Sequence, residues 1–512
     1  MSGAAGTSPT GLRPTRRLVI VAALVLMALA LPGWLVRHLI DPETVRAAIE
    51  QQASAALGQP VRVGAVAWAL SARPRVVLTD VQIGAPAAVT LHRVEVTTGL
   101  RALLSRRVEG GGLEISGSRI VLPLPFTLGA DTTKAPPASG DAGGLTIASI
   151  DRISLRDVVL SVGSAQVALD LESSLSGERL TVSRLRLRSA RTTLEGTGNV
   201  TGLSAPTGQF TVTADPLDLD ELLAIASGLT GSAPSTNDAP QRTPAAIDLR
   251  TTVTAPKGRL LGIDFTRLQA TLQVTPRGVS LEPLGMSLLG GTLTGRAVVD
   301  TTRATAAMTL SMRVEAVDAA KAASLAGSPG LITGRLGAQV EATAEAGAPD
   351  VVFGTARGRA TLTIDNGTLP YLDLIGPVIV AFGTSTAHTA WDRSNAFKTL
   401  GGTFAFADGV LHSEELSLTS RDLDVAAREF RLTQAAINMK ADLVLSESLS
   451  AQAGSDLRKF AREGSRIVLP AKITGPIRSP KVSIDLGAAA GRAVSNAARD
   501  EVKKGLGRLF RR

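Results

Sequence analysis

The sequence predicts a mainly β fold: an elongated, curled antiparallel sheet that forms a β-groove, with an N-terminal transmembrane helix, a few short helices and a C-terminal amphipathic helix. Three observations lead to this prediction. Apolar and polar residues alternate with period two along much of the chain, which is typical of strands with one apolar face. Turn-forming residues separate these runs. An uncharged apolar stretch lies near the N-terminus, and helical spacing occurs at residues 43–57 and 487–512.

The composition of the 512-residue chain narrows its chemistry. The chain has no cysteine, which excludes disulfides, thiolate metal sites and cysteine nucleophiles. Hydrophobic residues make up 44% of the chain but aromatic residues only 3%, so Val, Leu, Ile and Ala must build its apolar surfaces. The formal net charge of +9 suits an anionic partner such as a membrane surface. We expect no nucleic-acid partner, because aromatic residues that would stack on bases are scarce.

A membrane anchor is predicted at residues 18–36, which carry no charge. At about 1.5 Å per residue, a helix of this length approaches the roughly 30 Å core of a bilayer. Arginines precede it, so the positive-inside bias predicts a cytoplasmic N-terminus at residues 1–17 and export of the rest. The alternative is a cleaved signal peptide with Ala28 and Ala30 at the cleavage site. The candidate anchor residues are Leu18, Leu24, Leu26, Leu29 and Trp34.

A helix is predicted over 43–57, directly after the anchor. Asp41 can cap it, Pro42 suits its first turn and Gly58 can end it. Val45, Ile49 and Ala53 recur at helical spacing, which predicts the stripe that the helix buries.

Strand alternation dominates the sequence after this helix. It extends over nine residues at 437–445 and recurs at 467–473. The inward-facing apolar residues of such runs are candidates to line the groove: Leu272, Val274, Leu293, Phe404, Phe406, Ile437, Met439, Leu443, Leu445, Ile467 and Leu469.

Two segments rich in Pro, Gly, Ser and Thr, 129–144 and 227–246, have no periodicity and are predicted to be linkers. They separate a helix-and-strand region at 41–128 from groove segments at 145–226 and 247–486.

A faint internal repeat relates 193–200 to 292–299. Each copy leads to a second strand, an aspartate and a short helical segment, which indicates stacked similar units. In the first copy, Asp218 and Asp220 are interpreted as cap and first-turn residues of that helix.

The C-terminal residues 487–512 carry an apolar stripe flanked by cations. One interpretation is a basic amphipathic helix on an anionic membrane surface. The other is a helix that caps the sheet and exposes a charged face to water. The candidate membrane-surface residues are Lys503, Lys504, Arg508, Arg511 and Arg512.

Catalytic motifs for phosphate, dinucleotide, serine-hydrolase or zinc-protease chemistry do not occur, so we expect neither an enzyme nor a cofactor. The four histidines lack partners at metal-ligand spacing, which predicts no metal site. Glu414, Glu415, Asp422 and Asp424 are the carboxylates that an acid–base mechanism could use. However, Asp422 and Asp424 alternate with apolar residues, as on the solvated face of a strand.

An apolar face on a long sheet must be buried, and the sequence offers few helices to cover it. A sandwich or closed barrel would bury this face against protein. A curled sheet would instead form a groove that a hydrocarbon chain fills. Each buried methylene contributes about 0.8 kcal/mol, so such a groove can hold an acyl chain without specific polar contacts.

Several short motifs resemble the AsmA family of bacterial envelope proteins. Ile40-Asp41-Pro42 follows the predicted anchor, and the stretches 75–81 and 288–295 continue the resemblance. It is most specific at the C-terminal stretches 402–411 and 469–480. The two Pro/Ser-rich linkers depart from the family pattern, which predicts interruptions of the groove.

This resemblance implies an inner-membrane-anchored periplasmic protein without catalytic residues. The family resembles bridge-like lipid transfer proteins built on a repeating β-groove, and it is tied to outer-membrane lipid homeostasis and assembly. Phospholipid or another envelope lipid, the inner membrane and outer-membrane assembly proteins are the expected partners. The alternative is a non-lipid scaffold or assembly factor whose exposed sheet edge accepts a strand of an outer-membrane protein.

Overall fold

The computed structural model is mainly β, with a large curled sheet and few helices, which confirms the predicted fold class at this level. It describes residues 42–69, 73–99, 107–108, 110–124, 146–147, 149–202, 205–230, 247–303, 305–347, 349–374, 376, 378, 395–433, 435–452, 462–485, 487–488 and 491. Within these ranges no helix is both long and apolar enough to cross a membrane. The predicted anchor at 18–36 and nearly all of the predicted C-terminal helix lie outside them.

The chain divides into two compact units, Met1–Pro276 and Arg277–Arg512, and each is described by itself. The described residues of unit 1 include the helices α1 (Pro42–Leu57) and α2 (Leu219–Thr230). Its strands are β1 (Val61–Arg62), β2 (Ala65–Ala69), β3 (Arg75–Ile83), β4 (Val89–Thr97), β5 (Arg107–Val108), β6 (Gly111–Ser116), β7 (Arg119–Leu122), β8 (Thr146–Ile147), β9 (Ser149–Val162), β10 (Ala165–Ser176), β11 (Arg179–Arg188), β12 (Thr193–Thr201), β13 (Thr207–Ala214), β14 (Leu217–Asp218), β15 (Asp248–Leu260) and β16 (Ile263–Thr275).

The described strand pairs of the main unit 1 sheet are antiparallel except at two junctions, which corrects the all-antiparallel prediction. β5 and β8 form a separate two-stranded parallel sheet. β6 and β7 both pair with β9 in parallel, and β13 and β14 both pair with β15 in parallel. Parallel neighbours need a long crossover connection, and the two predicted linkers fall within these connections. β7 and β9 pair directly although the first linker lies between them in the chain, and β14 and β15 do the same across the second. α2 extends to Thr230, four residues into the segment 227–246 that was predicted to be a linker.

Unit 2 contains the short helices α3 (Ala319–Leu325), α4 (Pro349–Thr355) and α5 (Glu447–Gln452). Its strands are β17 (Gly278–Leu288), β18 (Gly291–Asp300), β19 (Ala307–Asp318), β20 (Arg335–Glu345), β21 (Arg357–Thr368), β22 (Ala396–Ala407), β23 (Val410–Ser413), β24 (Ser417–Thr419), β25 (Leu423–Leu432), β26 (Ala436–Leu445), β27 (Arg462–Glu463), β28 (Arg466–Pro476) and β29 (Lys481–Ile484).

The described strand pairs of unit 2 are antiparallel. β17 to β22 pair in chain order, and β22 then pairs with both β23 and β24. These two short strands both pair with β25, and the sheet continues through β26 and β28 to β29.

Helix α1 covers one end of the apolar face of unit 1. Ile49 and Leu57 are buried in one cluster with Leu78, Val94 and Val96 of β3 and β4. The predicted stripe of this helix is confirmed, since Val45 and Ala53 also pack against that cluster.

The two copies of the predicted repeat end in helices that are capped in the same way. The carboxylate of Asp218 accepts a hydrogen bond from the backbone N–H of Glu221 (2.8 Å), and that of Asp318 accepts from Ala320 (3.0 Å) and Lys321 (3.2 Å). These bonds satisfy N–H groups that have no partner within the helix. Asp220 lies in the first turn of α2, and its carboxylate also holds the β15–β16 turn.

Candidate functional site

Strand register aligns apolar side chains into a continuous row across unit 1, because residues directly opposite on neighbouring strands point to the same face. The row crosses both parallel junctions. From β2 to β16, its members are Val66, Leu78, Val94, Ile115, Leu155, Leu171, Leu185, Gly196, Val212, Val253 and Ala270.

The side chains at one end of the unit 1 row are buried, and those in its middle are partly exposed. Leu78 and Val94 are buried under α1, whereas Leu155, Leu171 and Leu185 are half-buried. The predicted groove residues Leu272 and Val274 continue the face of Ala270 along β16 and are half-buried as well.

Unit 2 carries an equivalent row near the ends of its strands, called here the unit 2 row. Its members, from β17 to β28, are Leu281, Ala297, Leu310, Ala342, Gly358, Phe406, Leu411, Leu432, Ile437 and Gly475.

Six of the predicted groove residues are buried in unit 2, and five of them, all except Phe404, belong to one closed hydrophobic core. These six are at most 6% exposed: Phe404, Met439, Leu443, Leu445, Ile467 and Leu469. Leu449 of α5, Leu374 and Val378 belong to the same cluster as those five residues. Their side chains therefore already contact protein, and the open part of the apolar face lies elsewhere. Alternation identifies the face of a strand but not what covers it. Leu293, Phe406 and Ile437 are half-buried.

An open apolar cavity of about 450 Å³ lies over the unit 2 row. Its volume is within the roughly 300–1,000 Å³ range of small-molecule sites. None of the described residues that line it is charged, so it suits a hydrocarbon chain and disfavours groups that need hydrogen-bond partners. The lining residues are Met308, Leu310, Val340, Ala342, Thr343, Ala344, Val352, Ala356, Phe406, Ala407, Gly409, Val410, Leu411, Leu432 and Thr433.

Phe406 lies across Gly358 of the neighbouring strand. A Cβ atom on Gly358 would be 2.9 Å from Cζ of Phe406 and 2.0 Å from the carbonyl oxygen of Glu341. The missing side chain therefore lets the ring cover β21, which is the known pairing of an aromatic residue with a cross-strand glycine. The same pairing recurs at Gly198–Phe210, Gly258–Phe265 and Gly367–Phe397.

Helix α4 borders the cavity where β20 ends and β21 begins. Val352 of this helix and Ala356, the residue that follows the helix, both line the cavity. Val351, the preceding residue, is 38% exposed. Two adjacent valines on this short helix thus have different surroundings.

Two of the four carboxylates considered for acid–base chemistry are held in ion pairs, and the other two, Glu414 and Glu415, are exposed. Asp424 contacts Arg466 (2.6 Å) and Asp422 contacts Arg421 (2.8 Å). The assignment of Asp422 to a solvated face was wrong, because it is 7% exposed. Among the described residues, no group of three His, Asp or Glu could hold a metal ion.

The candidate anchor and membrane-surface residues lie outside the described residues. They are Leu18, Leu24, Leu26, Leu29, Trp34, Lys503, Lys504, Arg508, Arg511 and Arg512.

The lining residues that sequence reasoning missed are on strands whose partners were unknown, such as Leu310, Ala342 and Leu411. Alternation along β19 and β20 indicated which face of the strand Leu310 and Ala342 lie on, but it did not show that these residues and Leu411 line one cavity. Comparisons of the chain with protein-family models, curated proteins and solved structures find no match.

Proposed function

We propose that this protein is anchored in the bacterial inner membrane by residues 18–36, exposes its bulk to the periplasm, and binds and passes lipid acyl chains along its apolar face. In this role it supports outer-membrane lipid homeostasis and assembly, as the resemblance to the AsmA family implies. The observation that carries the proposal is the open, uncharged cavity over the unit 2 row.

The energetics of the apolar rows favour a chain that slides. Each methylene that leaves water contributes about 0.8 kcal/mol, whichever aliphatic side chain it meets. The unit 1 row presents similar residues on one strand after another, such as Leu155, Leu171 and Leu185. Because no single contact dominates, a bound chain meets small barriers between neighbouring positions.

The test measures lipid bound to the full chain after gentle extraction from membranes, by mass spectrometry. We expect co-purifying phospholipid or another envelope lipid. Ala342→Glu places a carboxylate in the cavity, where burial without a partner is costly, so bound lipid should fall several-fold. Ala405→Glu is the matched control, because Ala405 is an exposed residue next to Phe406 on the opposite face.

Two results would count against the proposal. One is wild-type protein that carries no lipid, and the other is equal lipid in the two folded glutamate variants. Crosslinks to nascent outer-membrane proteins without bound lipid would favour the scaffold alternative. Among the described residues β29 pairs on one side only, with β28, so it offers such a client a short surface, and Lys481 at its start is the kind of charge that discourages strand addition.

A further inference from the structure

The connection that contains α4 is longer than the sheet requires. β22 and β23 are joined by Asp408 and Gly409 alone, and β17 and β18 by Leu289 and Gly290. By contrast, residues 346–356 join β20 to β21, although these strands pair as an antiparallel hairpin. Two residues suffice for a hairpin of this kind, so α4 is an addition to the sheet.

A side-chain hydroxyl fixes α4 to the end of β20. Oγ1 of Thr355 accepts a hydrogen bond from the backbone N–H of Glu345 (2.9 Å) and donates one to the carbonyl oxygen of Val351 (2.7 Å). This double contact ties the last turn of the helix to the strand. It holds Val352 against the cavity and leaves Val351 exposed.

We propose that α4 is the end wall of the acyl-chain site and that Val352 is a specificity-determining residue that limits the length of the bound chain. This inference rests on the proposed function. The cavity is uncharged along its described lining, so its occupant is the hydrocarbon part of an amphiphile. The unit 2 row runs across the strands, whereas α4 lies where β20 ends and β21 begins, so the part of a chain that turns from the row toward the ends of these two strands meets the Val352 side chain.

The experiment compares chain-length limits in the full chain, reconstituted in amphipol and depleted of lipid. Decanoate, myristate, palmitate and stearate compete with a fluorescent fatty acid. Affinity should rise with chain length up to a limit. Val352→Phe should move this limit to a shorter acid and Val352→Ala to a longer one. Each excluded methylene should lower affinity about fourfold. Val351→Phe and Val351→Ala are the matched controls and should keep the wild-type limit.

The position of the whole helix is tested through its tether. Thr355→Val removes both hydrogen bonds of the hydroxyl and should let longer acids bind. Thr355→Ser keeps the hydroxyl and should keep the wild-type chain-length limit. If Val352→Phe does not fold, the two Thr355 variants still test whether α4 limits the length of the bound chain.

The outcomes separate the two proposals. A wild-type protein that binds none of the four acids refutes the proposed function. A wild-type protein that binds them, with limits unchanged in the Val352 and Thr355 variants, refutes the end wall alone.

Discussion

Replacing Leu443 by alanine is expected to destabilise unit 2 by about 3 kcal/mol without changing the amount of bound lipid. Leu443 is 0% exposed, and its cross-strand neighbours are Val425 and Leu469, both buried. Buried Leu→Ala substitutions cost about 2–5 kcal/mol, since they remove apolar contacts and leave a cavity. The site is enclosed on several sides, so the estimate lies in the middle of that range.

The matched variant is Ile437→Ala, on the same strand and the same face. Ile437 is half-buried and pairs with Leu432, which lines the open cavity. It buries less surface than Leu443, so we expect a loss of about 1 kcal/mol.

Urea unfolding followed by circular dichroism measures the loss, and hydrogen exchange of β25, β26 and β28 locates it in unit 2. Lipid bound to both variants is measured by mass spectrometry. If Leu443→Ala kept its stability and lost lipid, the core assignment would be wrong, and Leu443 would contact the ligand instead of protein.

Three further predictions concern caps, pH and glycine. Asp218→Ala should destabilise the sheet more than Asp318→Ala, by about 2 against 1 kcal/mol in urea unfolding, because Asp218 is also a buried ion-pair partner; equal losses would contradict this. The backbone N–H groups of the β15–β16 turn donate to Asp220 and hold the pKa of its carboxyl below the ordinary value. The ionised carboxylate therefore stabilises the fold above about pH 4, and this stabilisation is lost as the pH falls through the lowered pKa. The protection factors of the Leu261 and Gly262 amides, corrected for the intrinsic pH dependence of exchange, should fall in acid, and Asp220→Asn should remove this fall. Gly358→Ala should lower the free energy of unfolding by about 1–3 kcal/mol, because its Cβ would be 2.0 Å from the carbonyl oxygen of Glu341. The atom nearest to a Cβ on Gly285 is 3.9 Å away, so Gly285→Ala should have a melting temperature close to that of the wild type.

Local sequence patterns predicted the elements of this fold well. Period-two alternation predicted strands at 437–445 and 467–473, where β26 and β28 lie, and helical spacing with Pro42 and Gly58 predicted α1. The cap at Asp218 was predicted from its residue type before a short helical segment, and Asp318 holds the equivalent position in the second copy of the repeat. These features depend on contacts between residues close in sequence, so the chain itself carries their signal.

The candidate site was only partly predictable from the same patterns. Alternation correctly placed Leu293, Phe406 and Leu443 on one face of unit 2, but it could not distinguish a covered position from an open one. Whether Leu443 meets a ligand or Leu449 depends on where α5 packs, and alternation along one strand carries no information about that.

The sequence by itself determined which side chains share a face, because the pleat of a strand fixes their direction every second residue. The tertiary structure alone decided which strands are neighbours across the linkers, where the apolar face is covered and where it stays open. Register between strands and the packing of short helices depend on residues far apart in sequence. The cavity between Leu310, Ala342 and Leu411 therefore exists only once β19, β20 and β23 are assembled.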